Sequence, residues 1–186
     1  MTERIIVAGS GGQGVLTLGL FLAQNGISEK KNVTYLPSYG AEKRGGFSFC
    51  SIVISDEEIY SPIIEKPDTL IVFDQRALES YSNKIANKTL VIVNSSLIKD
   101  QKTDITRKIK IPATTIARKV SFIKAMNIVI AGAYFAAKSI FHIENAYNVL
   151  TNMLVNKSKE IVDKNIKAFN KGMEFVRKEL SGLQFC

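Results

Sequence analysis

The chain has 186 residues, of which 46% are hydrophobic and 23% are charged, a balance typical of a globular domain and not of a disordered chain. Its formal net charge of +8 suggests acidic partners, with a solvated basic face as the alternative. The basic residues concentrated at 99–119 are not interleaved with aromatic residues, so we expect no nucleic acid ligand. No apolar run approaches the ~18 residues that a membrane-spanning helix needs, so we expect no membrane span.

Apolar runs of strand length recur along the first half of the chain. Near-continuous apolar runs of this kind indicate strands buried on both faces, as in a parallel sheet. An apolar helix that ends near Gly26 and an amphipathic helix at 75–86 connect them, and this alternation predicts an α/β fold with a mostly parallel sheet and flanking helices. The predicted strands are "RIIVA" (4–8), "NVTYL" (32–36), "TLIVF" (69–73) and "TLVIV" (89–93).

One segment breaks this alternation. "GFSFCSIVISDEEIYSP" (46–62) has the two-residue period of a strand, reaches polar residues at "SDEE" and resumes with "IYSP". The pattern predicts a β-hairpin inserted into or beside the sheet.

After "IKIPATTIA" (109–117) the chain is predicted to be mainly helical. We expect residues 1–186 to form a single domain, with an α/β core at 1–112 and a mainly helical part at 113–186. A last helix carries one apolar stripe that we expect to pack on its own domain, with a partner helix as the alternative. The stripe consists of Val162, Ile166, Phe169, Met173, Val176 and Leu180.

Two predicted helices are apolar on more than one face. They are the helix that follows the first strand and the helix containing "MNIVIAGAYFAA". Such helices predict a surface hidden by partners or by a second copy.

The stretch "VAGSGGQGVLTLG" (7–19) places a glycine-rich turn between the first strand and the first helix. Gly9, Gly11 and Gly14 match the dinucleotide-binding spacing G-x-G-x-x-G, with Gly12 and Gln13 inside it. Backbone N–H groups and the helix N-terminus of such a turn can face an anion. The alternative is that the glycines only permit a tight turn.

A nicotinamide cofactor needs more than this turn. NAD requires an acidic residue about 20 positions further on, at the tip of the second strand. That strand ends in "YLPSYG", with Glu29 before it and Glu42 well after it. An Arg for the 2′-phosphate of NADP is also missing there, so a dinucleotide is not the favoured ligand.

The loop after the second strand, "PSYGAEKRGG" (37–46), gathers polar side chains between glycines. Because the carboxyl ends of parallel strands meet at one edge of a sheet, we expect this loop to lie beside the glycine-rich turn. Arg44 offers bidentate geometry to a phosphate or carboxylate and Lys43 a point charge; a solvated basic turn is the alternative. The candidate binding residues of this loop are Ser38, Tyr39, Glu42, Lys43, Arg44, Gly45 and Gly46.

The remaining candidate residues are isolated. His142 is the only histidine, and with no Asp or Cys near it in the sequence we expect a structural role. Asn94, Ser95 and Ser96 follow a buried strand, where they either line the same sheet edge or cap the next element. We identify no catalytic residue and no metal site.

The two cysteines, Cys50 and Cys186, lie far apart in the sequence. This is typical of free thiols in a reducing compartment, and Cys50 is expected to be a packed residue and not a nucleophile. Met1 leads within a few residues into the first predicted strand, with no basic and then apolar leader. We therefore expect a cytoplasmic protein.

Several of these segments, taken together, resemble the gamma subunit of 2-oxoacid:ferredoxin (acceptor) oxidoreductases, with the 2-oxoglutarate type closest. The resemblance runs in order from residue 4 to about residue 140, and the family patterns G-x-G-G-Q-G and Y-G-x-E-x-R-G-G are both intact, at Gly9–Gly14 and Tyr39–Gly46. Ala41 stands where proline is usual, and "VSFIKAMN" departs slightly before the methionine–asparagine pair. The segments are "GSGGQGV", "LPSYGAEKRGGFSFCSIVISDEEIYSP", "VIVNSSLI", "IPATTIARKV" and "MNIVIAGA".

The resemblance implies a Rossmann-like fold and a multisubunit enzyme. In this family thiamine diphosphate decarboxylates a 2-oxo acid, iron–sulfur clusters take the electrons and coenzyme A accepts the acyl group. An iron–sulfur cluster wants four thiolates, and this chain has two cysteines and no G-D-G motif of a thiamine diphosphate and magnesium site. The resemblance therefore implies alpha and beta partner subunits, a small ferredoxin-like subunit, and ferredoxin or a similar acceptor.

Two other functions stay open from the residues alone. The first is a free-standing NAD(P)-dependent oxidoreductase, which G-x-G-x-x-G by itself suggests. The second is a non-catalytic nucleotide-binding or scaffold module, which the absence of an acid–base pair suggests. If the chain is a gamma subunit, the two loops are expected to face coenzyme A or the thiamine diphosphate chamber.

Overall fold

The computed structural model of the chain describes residues 1–39, 45–99 and 105–183. Among the helices in these ranges, none is long and apolar enough to cross a membrane. Short 3₁₀ turns occur at Ser82–Lys84 and Ile123–Ala125. The strands and helices are β1 (Thr2–Ser10), α1 (Val15–Ser28), β2 (Asn32–Tyr39), β3 (Phe47–Ser55), β4 (Thr69–Val72), α2 (Gln75–Tyr81), β5 (Leu90–Asn94), β6 (Lys108–Ile111), α3 (Ala113–Lys119), α4 (Met126–Ala137), α5 (Ile143–Met153) and α6 (Lys159–Leu183).

The strands form one mixed sheet in the order β2-β3-β1-β4-β5-β6. β1, β4, β5 and β6 pair in parallel, whereas β3 lies antiparallel between β1 and β2. This confirms the predicted α/β fold with its mostly parallel sheet and flanking helices. β6 is an additional strand, whose "KIKI" sequence is a short signal and carries the lysines that are common on sheet edges.

The hairpin predicted within 46–62 has a different partner. Residues 47–55 form β3, but it pairs with β1 and β2, and "IYSP" forms no strand. The antiparallel connection is therefore the loop from β2 into β3, and not a turn at "SDEE". Ile59 and Ile64 pack in the smaller hydrophobic cluster beside the sheet. This packing explains the apolar residues that follow "SDEE".

Alternate side chains of the strands face two hydrophobic clusters on opposite sides of the sheet. Ile5 and Val7 of β1 face the larger cluster, to which α1 and α3–α6 contribute. Ile6 and Ala8 face the smaller cluster, to which α2 contributes. Both faces are therefore buried, as the near-continuous apolar strands indicate.

The last helix, α6, crosses α4 with the two backbones in direct contact. A Cβ atom added at Gly132 in α4 would overlap the carbonyl group of Phe169, and one added at Gly172 in α6 would overlap that of Val129. The pair of glycines therefore sets the distance between the helices. Phe169, Met173 and Val176 of the predicted stripe are buried, whereas Leu180 at its end is 44% exposed. The middle of the stripe therefore packs within the chain.

The apolar character of α4 is explained by the chain's own fold. Every residue from Asn127 to Phe135 is buried, under α6, α3 and the sheet. Most of α1 is buried as well, with Leu20 and Ile27 exposed. The expectation that these apolar faces need a partner or a second copy is wrong for α4, because intramolecular packing already covers it.

Glu29 joins the end of α1 to the start of α5. Its carboxylate accepts hydrogen bonds from the backbone N–H of His142 (2.7 Å) and from Nδ2 of Asn145 (2.8 Å), and lies 2.7 Å from His142 Nδ1. Burial raises the pKa of Glu29, but these hydrogen bonds outweigh it and leave the pKa below its ordinary value. His142, whose side chain is 82% exposed, thus has the structural role that was predicted.

We expect Gly132→Ala to destabilise the fold. Alanine has the higher helix propensity by about 1 kcal/mol, but the added methyl group has no room against a backbone carbonyl of α6. The free energy of unfolding measured with urea should fall by about 3 kcal/mol. Lys167→Ala, an exposed change on α6, is the control and should alter it little; a Gly132→Ala variant as stable as the control would contradict this packing.

Glu29 should make stability depend on pH. Since its pKa is lowered on folding, its contribution is complete above the ordinary carboxyl value of 4.5 and is lost as the pH falls through the folded-state pKa. Glu29→Gln should therefore cost about 1–3 kcal/mol at neutral pH and progressively less in acid, by urea unfolding. Glu144→Gln, an exposed change in the first turn of α5, is the control and should cost less. A cost of Glu29→Gln that does not depend on pH would refute the assignment.

Candidate functional site

The two predicted loops meet at the carboxyl edge of the sheet, the edge where β1, β2, β4, β5 and β6 end and β3 begins. The backbone N–H of Gly11 donates to the carbonyl oxygen of Gly46 at 2.8 Å. The glycine-rich turn and Gly45–Gly46 are therefore adjacent, and Ser38 lies at the end of β2 at the same edge. The candidates Glu42, Lys43 and Arg44 lie outside the described residues, as do Gly40 and Ala41, and for Tyr39 only the backbone is described.

The turn at Gly9–Gly14 has a conformation that requires glycine. Gly12 and Gly14 have φ angles of 88° and 84°, in the region that side chains rarely adopt. The Gln13 side chain folds back, so that its Oε1 accepts from the backbone N–H of Ser10 at 2.8 Å. Gln13 therefore positions the turn through its amide oxygen.

The open side of the turn lies at Gly12. A Cβ atom added there would meet no atom within 4 Å, whereas one added at Gly9 would meet Gln13 Oε1 at 2.5 Å and Phe73 Cβ at 2.8 Å. Gly9, at the end of β1, is thus closely packed by Gln13 and Phe73, while Gly11 and Gly12 are exposed. The exposed backbone faces away from the core.

The N-terminus of α1 lies at this turn. Gly14 is its N-cap, no described side chain caps it, and its first turn contains no acidic residue. The first N–H groups of a helix have no intrahelical partner and carry partial positive charge. Together with the exposed glycine backbone, they form a feature that suits an anionic group such as phosphate.

Asn127 of α4 supports the turn from below and is a residue that sequence reasoning missed. Its Nδ2 donates to the Gly14 carbonyl oxygen at 3.3 Å, and a Cβ atom added at Gly14 would lie 2.6 Å from the same nitrogen. The only signal in the sequence is the "MN" pair within the resembling segment "MNIVIAGA".

The carboxyl edge also includes the start of α2, which sequence reasoning did not select. Asp74 accepts from Ser10 Oγ at 2.7 Å through one oxygen and caps α2 at the N–H of Ala77 (3.0 Å) through the other. The Arg76 guanidinium lies over the Phe47 ring, 5.6 Å from its centroid. The helix itself was predicted to begin at residue 75, where α2 begins, but Asp74 was missed although an aspartate after a buried strand is a helix-cap signal.

Asn94, Ser95 and Ser96 lie at the same edge but make structural contacts. Asn94 is buried, and its Nδ2 donates to Thr114 Oγ1 at 3.1 Å. Its Oδ1 accepts from the N–H of Ser96 at 3.3 Å, and Ser96 Oγ lies 3.2 Å from Thr115 Oγ1. These bonds close the turn after β5 and tie it to α3.

The sheet order does not suit a dinucleotide. In dinucleotide-binding folds the strand after the first helix lies next to the first strand, so that an acid at its tip can reach the ribose. Here β3 separates β2 from β1, so the tip of β2 lies two strand spacings, roughly 9.6 Å, from β1. Asp74, an acidic residue at this edge, does not replace the missing ribose ligand, because its two oxygens already accept from Ser10 Oγ and from the N–H of Ala77.

Cys50 is a packing residue. It is buried, its Sγ lies 3.9 Å from the Val15 carbonyl oxygen, and burial raises the pKa of its thiol to about 12. A thiol with such a pKa stays protonated and is a poor nucleophile or metal ligand. Cys186 lies outside the described residues, and within the described ranges no three His, Cys, Asp or Glu side chains group as a metal site.

The chain is similar to subunits of oxoacid oxidoreductases. It is 33% identical over 179 residues to the ketoisovalerate oxidoreductase subunit VorA of Methanothermobacter marburgensis, an alignment that covers 96% of this chain and 37% of VorA. The chain thus spans little more than a third of that relative. It is 35% identical over 185 residues to the 2-oxoglutarate synthase subunit KorC of Methanocaldococcus jannaschii, covering 97% of this chain and 96% of KorC.

Solved structures show the same fold. The keto/oxoacid ferredoxin oxidoreductase gamma subunit of Geobacter sulfurreducens aligns with a TM-score of 0.79 and 27% identity, over 95% of this chain and 99% of that one. The 2-oxoglutarate:ferredoxin oxidoreductase of Magnetococcus marinus aligns with a TM-score of 0.88 and 23% identity, over 95% of this chain and 31% of that one.

The family assignment follows from the length of the match. The family described as pyruvate ferredoxin/flavodoxin oxidoreductase matches residues 4–175, which include both loops of the carboxyl edge and the crossing of α4 and α6. The resemblance predicted from the sequence is confirmed, and the chain belongs to the pyruvate ferredoxin/flavodoxin oxidoreductase family.

Proposed function

We propose that this chain is the gamma subunit of a multisubunit 2-oxoacid:ferredoxin (acceptor) oxidoreductase. The complex would convert a 2-oxo acid and coenzyme A into acyl-CoA and carbon dioxide and pass the two electrons to an iron–sulfur acceptor. The observation that carries the proposal is the end-to-end match with the separate subunit KorC, which covers 97% of this chain and 96% of KorC. 2-Oxoglutarate is the first substrate to test because KorC is named for it, with ketoisovalerate second because VorA is named for that.

The rest of the catalytic chemistry belongs to partner subunits in this proposal. Thiamine diphosphate, magnesium and the iron–sulfur clusters would be held by alpha and beta subunits and by a small ferredoxin-like subunit. A cluster needs four thiolates, whereas this chain has Cys50, which stays protonated, and Cys186. In this proposal the chain folds as a single domain and the complex is cytoplasmic. Ferredoxin or a similar protein is its electron acceptor.

The carboxyl edge supports a role in binding coenzyme A. Its exposed backbone at Gly11 and Gly12 and the uncapped start of α1 would receive a phosphate group, and Gln13 and Asn127 hold that backbone in place. Arg44 and Lys43 would supply charge from the neighbouring loop, whose end is fixed by the bond between Gly11 and Gly46. The proposed binding residues are Gly9, Gly11, Gly12, Gln13, Gly14, Ser38, Tyr39, Glu42, Lys43, Arg44, Gly45 and Gly46.

An NAD(P)-dependent oxidoreductase is the alternative from another class. The spacing of Gly9, Gly11 and Gly14 favours it, but the position of β3 between β1 and β2 speaks against it. A non-catalytic nucleotide-binding module shares the glycine-rich turn and would differ in leaving oxoacid oxidation unchanged when the chain is absent.

Reconstitution tests the function. Co-expressed with the alpha and beta subunits from its own genome, the chain should co-purify as one complex that reduces a ferredoxin with a 2-oxo acid, and activity should require coenzyme A. The same alpha and beta subunits without this chain are the control and should lose coenzyme A-dependent turnover. The isolated chain should not bind NADH in calorimetry.

Two results would overturn the proposal. Micromolar binding of NADH to the isolated chain would favour the dehydrogenase instead. Full coenzyme A-dependent activity of alpha and beta without this chain would favour the non-catalytic module.

Arg44→Ala tests the proposed coenzyme A contact in the assembled enzyme. Loss of one charge-assisted contact costs about 1.5–3 kcal/mol, so the KM for coenzyme A should rise about tenfold to a hundredfold. Decarboxylation in a half-reaction without coenzyme A should change little. Arg107→Ala is the control, because Arg107 precedes β6 at the opposite edge of the sheet and bonds the Lys88 carbonyl.

The outcomes of this substitution separate three roles for Arg44. A collapsed half-reaction with unchanged dependence on coenzyme A would place the loop at the thiamine diphosphate chamber or at a subunit interface. No change in either measurement would make Arg44 a surface charge and would refute the site.

A further inference from the structure

The segment between β3 and β4, residues 56–68, exposes two large apolar side chains. Tyr60 is 90% exposed and Ile63 is 73% exposed. The segment lies at the amino edge of the sheet, opposite the carboxyl edge, where the N–H of Asp56 donates to the Met1 carbonyl and that of Asp68 to the Arg4 carbonyl. We call this segment the acidic loop.

The acidic loop is held against the domain by its other apolar residues. Ile64 is buried and Ile59 is partly buried in the smaller hydrophobic cluster. Lys84 Nζ donates to the Ile64 carbonyl oxygen at 3.0 Å. Within the loop, the N–H of Ile63 donates to Ser61 Oγ at 3.2 Å. With Ile59 and Ile64 packed inward, Tyr60 and Ile63 point outward and are presented in a defined arrangement.

The charge of the loop is opposite to that of the chain, since residues 56–68 contain five acidic residues and one basic residue, Lys66. Among its acids, Asp56 pairs with Lys31 and the N-terminus, and Asp68 pairs with Arg4. The others are exposed and make no ion pair within the described residues, on a chain whose formal net charge is +8. These unpaired acids, Glu57, Glu58 and Glu65, flank Tyr60 and Ile63 on both sides.

We propose that the acidic loop docks on another subunit of the oxidoreductase complex, with Tyr60 and Ile63 inserted into an apolar pocket ringed by Lys and Arg side chains. The proposal rests on the proposed function, since it needs a partner subunit. Exposed apolar residues rimmed by charge are typical of interaction sites, and Tyr is a frequent anchor in them.

The charge pattern selects this partner over the others. A two-fold contact in which the acidic loop meets the same loop of a second copy would bring the same acids face to face, which is repulsive. Phosphate-bearing membranes and nucleic acids are repelled as well. A cationic protein surface gains both from burial of Tyr60 and Ile63 and from the flanking carboxylates.

The position of the loop fits an anchor that leaves the proposed cofactor site open. β1 spans nine residues between the two edges, which is roughly 30 Å in a strand. In VorA the matching region is 37% of a longer chain, so the rest of VorA is covalently attached to it. A gamma subunit that is a separate chain needs a noncovalent contact instead of that covalent link.

The test is association of the double variant Tyr60→Ser, Ile63→Ser with the co-expressed alpha and beta subunits. Because both side chains are exposed, its thermal unfolding should match that of the wild type. Its Kd for the alpha and beta subunits should be at least about tenfold higher. Val155→Ser removes an apolar side chain that is 74% exposed elsewhere on the molecule, and it should bind as the wild type does.

A second pair of changes tests the charge. Glu57→Lys with Glu58→Lys should also weaken association, and the loss should shrink at high salt because screening weakens the attraction that the wild type has. Self-association of the isolated chain should not change with any of these variants.

The possible results separate this inference from the proposed function. Wild-type chain that binds alpha and beta, together with double variants that bind equally well, overturns the docking loop and leaves the proposed function standing. Equal weakening by Val155→Ser, or an effect confined to self-association, also overturns it. Wild-type chain that binds neither subunit overturns both.

Discussion

The antiparallel pairing of β3 between β1 and β2 is the constraint on which the carboxyl edge depends. Every residue of β1 from Thr2 to Ser10 has a partner in β3, and β2 pairs along the other side. Because β3 runs against its neighbours, it begins where they end and brings Gly45–Gly46 against the glycine-rich turn. The same insertion moves β2 away from β1 and removes the geometry on which a dinucleotide site depends.

The shape of the turn depends in addition on helices far along the chain. Asn127 fits beneath Gly14 only because that residue has no Cβ atom, and Asn127 is placed by α4. α4 is held in turn by its close crossing with α6 at Gly132 and Gly172. The C-terminal helix thus supports a backbone conformation more than a hundred residues before it in sequence.

The amino edge is held by buried charge. Glu3 is buried, accepts from Thr69 Oγ1 at 2.6 Å and pairs with Lys138 Nζ at 2.9 Å. A buried carboxylate is stable only when paired and hydrogen-bonded, so this cluster links β1, β4 and the end of α4. The acidic loop is built on this edge, so the proposed docking and cofactor-binding surfaces are on opposite edges of one sheet.

Much of this protein could be predicted from local pattern. Strand and helix periodicities are properties of short segments, so they predicted four strands, the last helix and the position of the glycine-rich turn. The family resemblance could also be recognised from the sequence, because each of its motifs is a contiguous segment. The partner of β3, the support of Gly14 by Asn127 and the outward position of Tyr60 were not predictable in this way. They are contacts between segments distant in sequence, and strand order and helix crossing exist only once the whole chain has packed.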